Sequence, residues 1–206
     1  MIDSDLIPET NVLKNKLGIT DQTLLDQAEA DITYLKLLDI DAFFEGRNLD
    51  YAALLDIHKY IFGNLYEWAG TQRNLNIYKA EKVLNGLSLT YSDYSRIEFE
   101  ATQIIDEMNA INWSILNLEE IGLLFADLLA KLWLIHPFRE GNTRTVMRFA
   151  GLFAASKGFS LNSKLLRDKA AYVRDALVLY NVTEAPEKHY FIKLIPELFI
   201  GFQKTP

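Results

Sequence analysis

The sequence LEEIGLLFADLLAKLWLI, residues 118–135, is apolar on nearly every side of a helix. Such a helix has no face suited to water, so it must lie at the centre of a fold. Asn117 followed three residues later by Glu120 has the pattern of a capping box, which places the start of the helix. Pro137 cannot continue the helix, which must therefore end near His136. These residues predict a central, buried helix.

Amphipathic helices are predicted on both sides of this segment, because apolar residues recur there at steps of three and four. In the first of them, Leu24, Leu35 and Leu38 belong to the predicted buried face. Residues 74–87 do not follow the helical pattern and predict two short extended pieces joined by a turn. The expected fold class is all-α with one small β-hairpin. The predicted outer helices are 21–38, 50–62, 91–108, 143–155, 163–180 and 187–200.

Composition limits the classes of protein to consider. The chain has 206 residues, half of them hydrophobic, and no repeat or linker, which predicts a single folded domain over residues 1–206. A net charge of −7 argues against a broad basic surface for nucleic acid. The absence of cysteine excludes disulfides, thiolate zinc sites and cysteine nucleophiles. With no signal peptide and no apolar run long enough to span a membrane, a cytoplasmic protein is expected.

The segment HPFREGNTRTVMR, residues 136–148, follows the central helix and concentrates reactive side chains. His136 supplies a possible general base and Glu140 a possible carboxylate ligand for a divalent cation. Gly141 and Asn142 allow a tight bend, after which the free N–H groups of a new helix can receive an anion. Arg144 and Arg148, four residues apart, lie on one helical face and can bind two successive phosphates. The base, the carboxylate, the N–H groups and the arginines together predict a site for attack of a hydroxyl on a nucleotide phosphate.

Each of these features also has an ordinary structural explanation. A histidine at a helix end commonly caps carbonyls, Glu-Gly-Asn commonly forms a turn, and arginines at this spacing commonly face solvent. None of these explanations accounts for the presence of all the features within one short segment.

The segment resembles the signature of the Fic family, H-x-F-x-(D/E)-G-N-G-R-x-x-R. Six of the eight fixed positions match. Thr143 stands where the family usually has a second glycine, and Met147 stands at the position of the second arginine, with Arg148 one residue later. Residues 57–73 are similar to the segment that precedes the active-site flap in these proteins, so the resemblance covers most of the chain. It implies a helical N-terminal part over 1–40 and a Fic core over 41–206. The matching positions are His136, Phe138, Glu140, Gly141, Asn142 and Arg144, and Arg148 is taken as the counterpart of the second arginine.

The resemblance implies a protein adenylyltransferase, which moves AMP from ATP to a Ser, Thr or Tyr hydroxyl of a target protein. It implies that His136 is the catalytic base, that Glu140 binds Mg²⁺ and that Phe138 anchors the loop in the core. The nucleotide-binding residues implied are Gly141 and Asn142 in the anion hole, Arg144 at the β-phosphate and Arg148 at the γ-phosphate.

Residues 74–87 lie where the family has a flap that holds the target by main-chain pairing, which implies target-binding roles for Asn76, Ile77 and Val83. His58, on a predicted apolar helix, is expected to be a buried, hydrogen-bonded histidine rather than a ligand. The sequence suggests no contact with nucleic acid or membrane, and it leaves the target, the oligomeric state and delivery into another cell open.

Two other functions remain open at this stage. One is phosphotransfer, as in the Doc branch of the superfamily, although Arg148 favours AMP transfer. The other is a catalytically silent binding module of a toxin–antitoxin pair, against which His136 and Glu140 argue. No segment completes the inhibitory pattern (S/T)-x-x-x-E-(G/N) of many Fic proteins. Regulation is therefore expected from a small antitoxin in trans, for which this chain would be the toxin, from a part of the natural protein beyond Pro206, or from oligomerisation.

Overall fold

A computed structural model describes residues 5–202 of the chain and confirms the helical fold class. Within those residues, no helix is long and apolar enough to cross a membrane. A two-stranded antiparallel sheet joins β1 (Phe159–Leu161) to β2 (Phe199–Phe202). The α-helices are α1 (Gln22–Phe44), α2 (Tyr51–Phe62), α3 (Ile97–Ala110), α4 (Leu118–Ile135), α5 (Asn142–Ser156), α6 (Ser163–Asp168), α7 (Ala170–Tyr180), α8 (His189–Ile192) and α9 (Ile195–Leu198).

Helix α4 is the centre of the fold, as predicted. It packs against α3, α5, α7, α8 and α9, and most of its side chains are buried. The capping box at its start is present, because the Asn117 side chain accepts from the Glu120 N–H and Glu120 accepts from the Asn117 N–H. The helix ends at His136, which has the left-handed conformation (φ 51°, ψ 59°). Capping and burial together fix where the following loop begins.

The face that α1 turns to the core differs from the predicted one. Leu24, Leu35 and Leu38 are 59%, 64% and 61% exposed, whereas Thr33 is buried. The inner side of α1 carries the apolar Leu25, Ile40 and Phe44, and between them Glu29 and Thr33 contact Arg144 of α5. The helix also continues to Phe44, so the proposed division between residues 40 and 41 falls inside it.

Residues 74–87 reverse direction as predicted, but they do not form a β-hairpin. The turn is a 3-10 helix, Lys82–Leu84, followed by Asn85 and Gly86 with φ of 53° and 90°. No strand is present between residues 74 and 87, and the only sheet in residues 5–202 is β1–β2. Isolated hydrogen bonds join the two arms here instead of a ladder, and the Glu81 N–H donates to the Leu87 carbonyl over 3.0 Å. Likewise, the Lys79 N–H donates to the Ser88 hydroxyl over 3.2 Å.

Helices α2 and α5 meet where the loop after α4 turns into α5. Gly141, the N-cap of α5, has a φ of 79°. A Cβ at this position would lie 2.3 Å from Cζ of Phe62, the fully buried last residue of α2. Both the conformation and the space therefore require glycine.

We predict that Gly141→Ala lowers the free energy of unfolding by about 3 kcal/mol, from left-handed strain and overpacking against Phe62. Chemical denaturation measures this change. Gly151→Ala, in the same helix, is the matched control. No atom lies within 4 Å of the added methyl group there, so a gain of about 0.5–1 kcal/mol is expected. Equal effects of the two substitutions would contradict the packing described.

Candidate functional site

His136 is oriented by the end of α4. Its side chain is 1% exposed, and its Nδ1 lies 3.1 Å from the Trp133 carbonyl. Because a carbonyl can only accept, Nδ1 carries the proton and Nε2 keeps a free lone pair. Burial, and next the ammonium of Lys79, hold the pKa of His136 well below its usual value. The imidazole is therefore neutral and able to accept a proton at Nε2.

Arg73 holds the main chain around His136. Its guanidinium is buried and donates to the carbonyls of His136 (2.8 Å), Ile135 (3.3 Å) and Leu75 (2.8 Å), and also to that of Ser92. The Arg73 N–H donates to the Pro137 carbonyl over 2.8 Å. The left-handed conformation of His136 is thus fixed from outside the loop.

Glu140 lies between a backbone donor and a lysine. One carboxylate oxygen accepts from the Gly141 N–H at 2.9 Å, and the other lies 3.1 Å from Nζ of Lys79. Burial tends to raise the pKa of Glu140, but Lys79 and the Gly141 N–H outweigh it, so the pKa is lowered. The carboxylate is ionised and faces a cation.

His58 is buried and hydrogen-bonded, as predicted. Its Nδ1 accepts from the Gly70 N–H at 2.8 Å, so Nε2 carries the proton and donates to the Glu140 carbonyl at 3.1 Å. Burial lowers its pKa to about 3. The ring stacks on Phe138, with centroids 3.8 Å apart, and Phe138 is fully buried as expected of a loop anchor.

Asn142 closes the loop with its side chain. Its Oδ1 accepts from the Phe138 N–H and its Nδ2 donates to the Phe138 carbonyl, both at 2.8 Å. One of the two Nδ2–H donors is thus used within the loop, and the main-chain N–H of Asn142 remains for an anion. Together with Gly141, it leaves the first turn of α5 facing a pocket.

Arg144 and Arg148 both extend from α5 towards acidic groups of α1. Arg144 forms an ion pair with Glu29 and donates to the Thr33 hydroxyl at 2.9 Å. Arg148 forms an ion pair with Asp41. Arg144 lines the pocket, whereas Arg148, one turn further along α5, is not among its lining residues. The two arginines are thus placed on one side of α5, with carboxylates as their present partners.

Lys79 and Arg174, neither of which was predicted as a site residue, also line this pocket. Arg174 of α7 grips the buried carboxylate of Glu81 with two hydrogen bonds, of 2.5 and 2.9 Å. The hydroxyl of Tyr91 donates to the same carboxylate at 2.8 Å, and the Tyr91 ring lies 4.2 Å from that of His136. This network ties residues 74–87 to α7 and to the histidine. Lys79 and Glu81 point inwards while their neighbours in sequence are exposed, as in an extended segment with one buried face. The period of two between these charged residues was the signal available in the sequence.

The three predicted flap residues lie on 74–87, but their side chains contact the protein itself. Asn76 donates to Asp93 at 2.9 Å and accepts from the Tyr94 N–H at 2.9 Å. Ile77 and Val83 are half-buried against the core. Because these side chains are partly engaged with the protein itself, the main chain is the part of the segment most open to a target.

The pocket has a volume of about 160 Å³. A larger groove of about 640 Å³ lies between α3 and α4, but its charged side chains are mostly acidic and it contains none of the motif residues. Negative charge there opposes a phosphorylated ligand, so the smaller pocket is the better candidate. It is lined by Lys79, His136, Glu140, Gly141, Asn142, Thr143, Arg144 and Arg174.

Comparison with known proteins agrees with this geometry. A model of the Fic/DOC family matches residues 48–154. The chain is 33% identical over 166 residues to "Probable protein adenylyltransferase y4lH" of Sinorhizobium fredii, which covers 79% of this chain and 80% of that protein. It is 31% identical over 156 residues to "Protein adenylyltransferase VbhT" of Bartonella schoenbuchensis, which covers 75% of this chain but only 31% of that protein.

Solved structures show the same fold. BepC of Bartonella tribocorum, crystallised with bound AMPPNP, superposes with a TM-score of 0.78 at 20% identity, over 97% of each chain. The family match includes helix α2 and the segment from His136 to Arg148, and that segment supplies six of the eight residues that line the pocket. This chain belongs to the Fic/DOC family.

Proposed function

We propose that this chain is a protein adenylyltransferase that moves AMP from ATP to a Ser, Thr or Tyr hydroxyl of a target protein. The observation that supports this most is the pocket, where the neutral imidazole of His136 meets Glu140, Arg144 and the free first turn of α5. The relatives y4lH and VbhT are named for the same activity. The proposed place of action is the cytoplasm, in its own cell or in another.

In the proposed reaction, Nε2 of His136 accepts the proton of the target hydroxyl. The hydroxyl oxygen forms a bond to the α-phosphorus of ATP, and the bond from that phosphorus to the α,β-bridging oxygen breaks. Pyrophosphate leaves and AMP remains on the target. Because burial keeps His136 neutral, its base form is available at neutral pH.

The phosphates would be received by the start of α5. Main-chain N–H groups of Gly141 and Asn142 and the positive end of the helix dipole favour an anion there. We propose that Arg144 binds the β-phosphate and Arg148 the γ-phosphate. Both arginines must then exchange their ion pairs with α1 for phosphate oxygens. The carboxylates of Glu29 and Asp41 are thus their counterions in the absence of nucleotide.

Glu140 fits the role of a Mg²⁺ ligand. Mg²⁺ commonly binds proteins through one or two carboxylates and takes its other ligands from water and substrate phosphates. Glu140 is ionised, lines the pocket and is already paired with a cation, the ammonium of Lys79. Within residues 5–202, no group of three or more acidic or histidine side chains forms a separate metal site. When bound, Mg²⁺ would neutralise charge on the phosphates.

We predict that radiolabel at the α-phosphate of ATP is transferred to protein, whereas label at the γ-phosphate is not. His136→Ala should lower the rate by at least about 10²-fold, since a positioned general base contributes that much. The exposed His189 supplies the control, and His189→Ala should transfer label normally. Transfer of γ-label would indicate phosphotransfer, and no transfer would indicate a silent binding module.

We propose that residues 74–87 hold the target as an extended segment. Tyr78 and Leu87 are 69% and 68% exposed, and the main chain between them is not used by a β-ladder. A free extended edge can pair with another extended chain. The anchor formed by Glu81 and Arg174 would keep this edge beside the pocket.

Ile77→Pro is expected to reduce target modification much more than ATP affinity, because proline removes a donor from the free edge. Ile77→Ala is the matched control, since it shortens the side chain but keeps the N–H group. Steady-state modification and calorimetric ATP binding separate the two effects. If both activities fell equally, or if alanine did the same harm as proline, main-chain pairing would be excluded.

We further propose that the chain is the toxin of a toxin–antitoxin pair and is restrained by a separate small protein. Support comes from the sequence, which does not complete the inhibitory pattern.

The acidic group found at Arg148 is Asp41, whose side chain is 70% exposed and can therefore be displaced by a stronger anion. Asp41 acts as a competitor for the γ-phosphate in this account.

Asp41→Asn should therefore strengthen binding of ATP several-fold and leave binding of AMP unchanged, because only ATP carries the phosphate that competes for Arg148. Asp39→Asn is the control, since Asp39 accepts from the Tyr60 hydroxyl instead. Calorimetric titration of both nucleotides measures the effect. Unchanged or weaker ATP binding by Asp41→Asn would refute the competition.

A further inference from the structure

Thr143 occupies the position where the family signature has glycine, and it is tied to the centre of the fold. It is the second residue of α5, is half-exposed and lines the pocket. The indole Nε1 of Trp133 donates a hydrogen bond to its Oγ1 over 2.9 Å. Trp133 is fully buried in α4, so this bond reaches the hydroxyl from the core side.

The direction of that hydrogen bond leaves the proton of the Thr143 hydroxyl available. An indole N–H can only donate, whereas a hydroxyl can accept and donate at the same time. Within the described residues, the indole is the hydrogen-bond partner that the structure gives to Thr143 Oγ1. Thr145, two residues later, differs because its hydroxyl donates to the Gly141 carbonyl at 2.9 Å. The hydroxyl of Thr143, the second residue of α5, therefore has a proton that it can donate towards the pocket.

The backbone at Thr143 accepts the side chain without strain. Within residues 5–202, the non-glycine residues with positive φ are Glu9, Asn85 and His136. Thr143 thus has an ordinary helical conformation, and its β-branch does not disturb the first turn of α5. The substitution adds a hydroxyl to the anion site and keeps the main-chain N–H groups.

We propose that the Thr143 hydroxyl donates a hydrogen bond to a phosphoryl oxygen of the bound nucleotide, and that Trp133 is the positioning residue that orients it. The surroundings favour an anionic acceptor, because Lys79, Arg144 and Arg174 line the same pocket. With the indole occupying one lone pair from the buried side, the proton is directed to the open side. This inference rests on the proposed function, in which the pocket receives nucleotide phosphates.

The test compares the affinities of adenosine, AMP, ADP and ATP for the wild-type chain and for Thr143→Val, Thr143→Ser and Thr143→Gly. Thr143→Val keeps the shape but loses the hydroxyl, so it should bind phosphorylated nucleotides about tenfold more weakly. Adenosine should bind both proteins equally. Thr143→Ser should resemble the wild type, and Thr143→Gly should show the same loss as valine. The shortest nucleotide that shows the loss identifies the phosphate involved.

Adenosine also serves as the control for folding, since a general distortion would weaken all four ligands alike. The role of Trp133 is tested by Trp133→Phe, which should weaken ADP relative to adenosine in the wild-type background and have no such effect when combined with Thr143→Val.

Normal ADP and ATP binding by Thr143→Val or Thr143→Gly, or an equal loss for adenosine, would overturn the inference. Failure of the wild-type chain to bind any phosphorylated nucleotide would instead overturn the proposed function, and this inference with it.

Discussion

The buried guanidinium of Arg73 is the interaction on which the rest of the site depends. It donates to main-chain carbonyls at the end of α4, at the start of residues 74–87 and before α3, so three segments distant in sequence meet on one side chain. Such carbonyls would otherwise be buried without a donor, at about 1–3 kcal/mol each. The left-handed conformation of His136, unusual for a residue other than glycine, persists because this contact holds it. The direction of the imidazole follows from that conformation.

The loop that follows His136 is held in its conformation by contacts within the protein, without a ligand. His58 fixes the Glu140 carbonyl, the amide of Asn142 closes on Phe138, and Gly141 fits against Phe62 with no room for a methyl group. The first turn of α5 is thereby aimed at the pocket. Electrostatic contacts complete the arrangement, since each charged group of the site faces an opposite charge that a substrate phosphate or a cation can replace. Preorganisation of this kind favours binding, because little order remains to be imposed.

Local sequence patterns predicted most of the frame and the loop. The apolar run of α4, its capping box and the proline after His136 are signals contained within a few residues, and the structure has all three. The buried face of α1 was predicted only in part, since Leu25 is buried as expected but Leu24, Leu35 and Leu38 are exposed. The ion pairs of α1 with Arg144 and Arg148 join residues more than a hundred positions apart and leave no trace in periodicity. The contact of Arg174 with Glu81 also joins residues far apart in sequence, so its place in the pocket was not predicted. A β-hairpin was predicted at residues 74–87, but its two arms are joined there by isolated bonds, such as Glu81 N–H to the Leu87 carbonyl and Lys79 N–H to the Ser88 hydroxyl, and not by a ladder.

The central claim is that the pocket at the start of α5 receives the phosphates of ATP without rearrangement of the loop. The most direct measurement is a crystal structure of the wild-type chain with Mg²⁺ and a non-hydrolysable ATP analogue. We expect phosphates on the main-chain N–H groups of Gly141 and Asn142, with Arg144 and Arg148 released from α1 and the Arg73 contacts unchanged. A nucleotide bound in the acidic groove between α3 and α4, or a loop that must refold around it, would contradict the account.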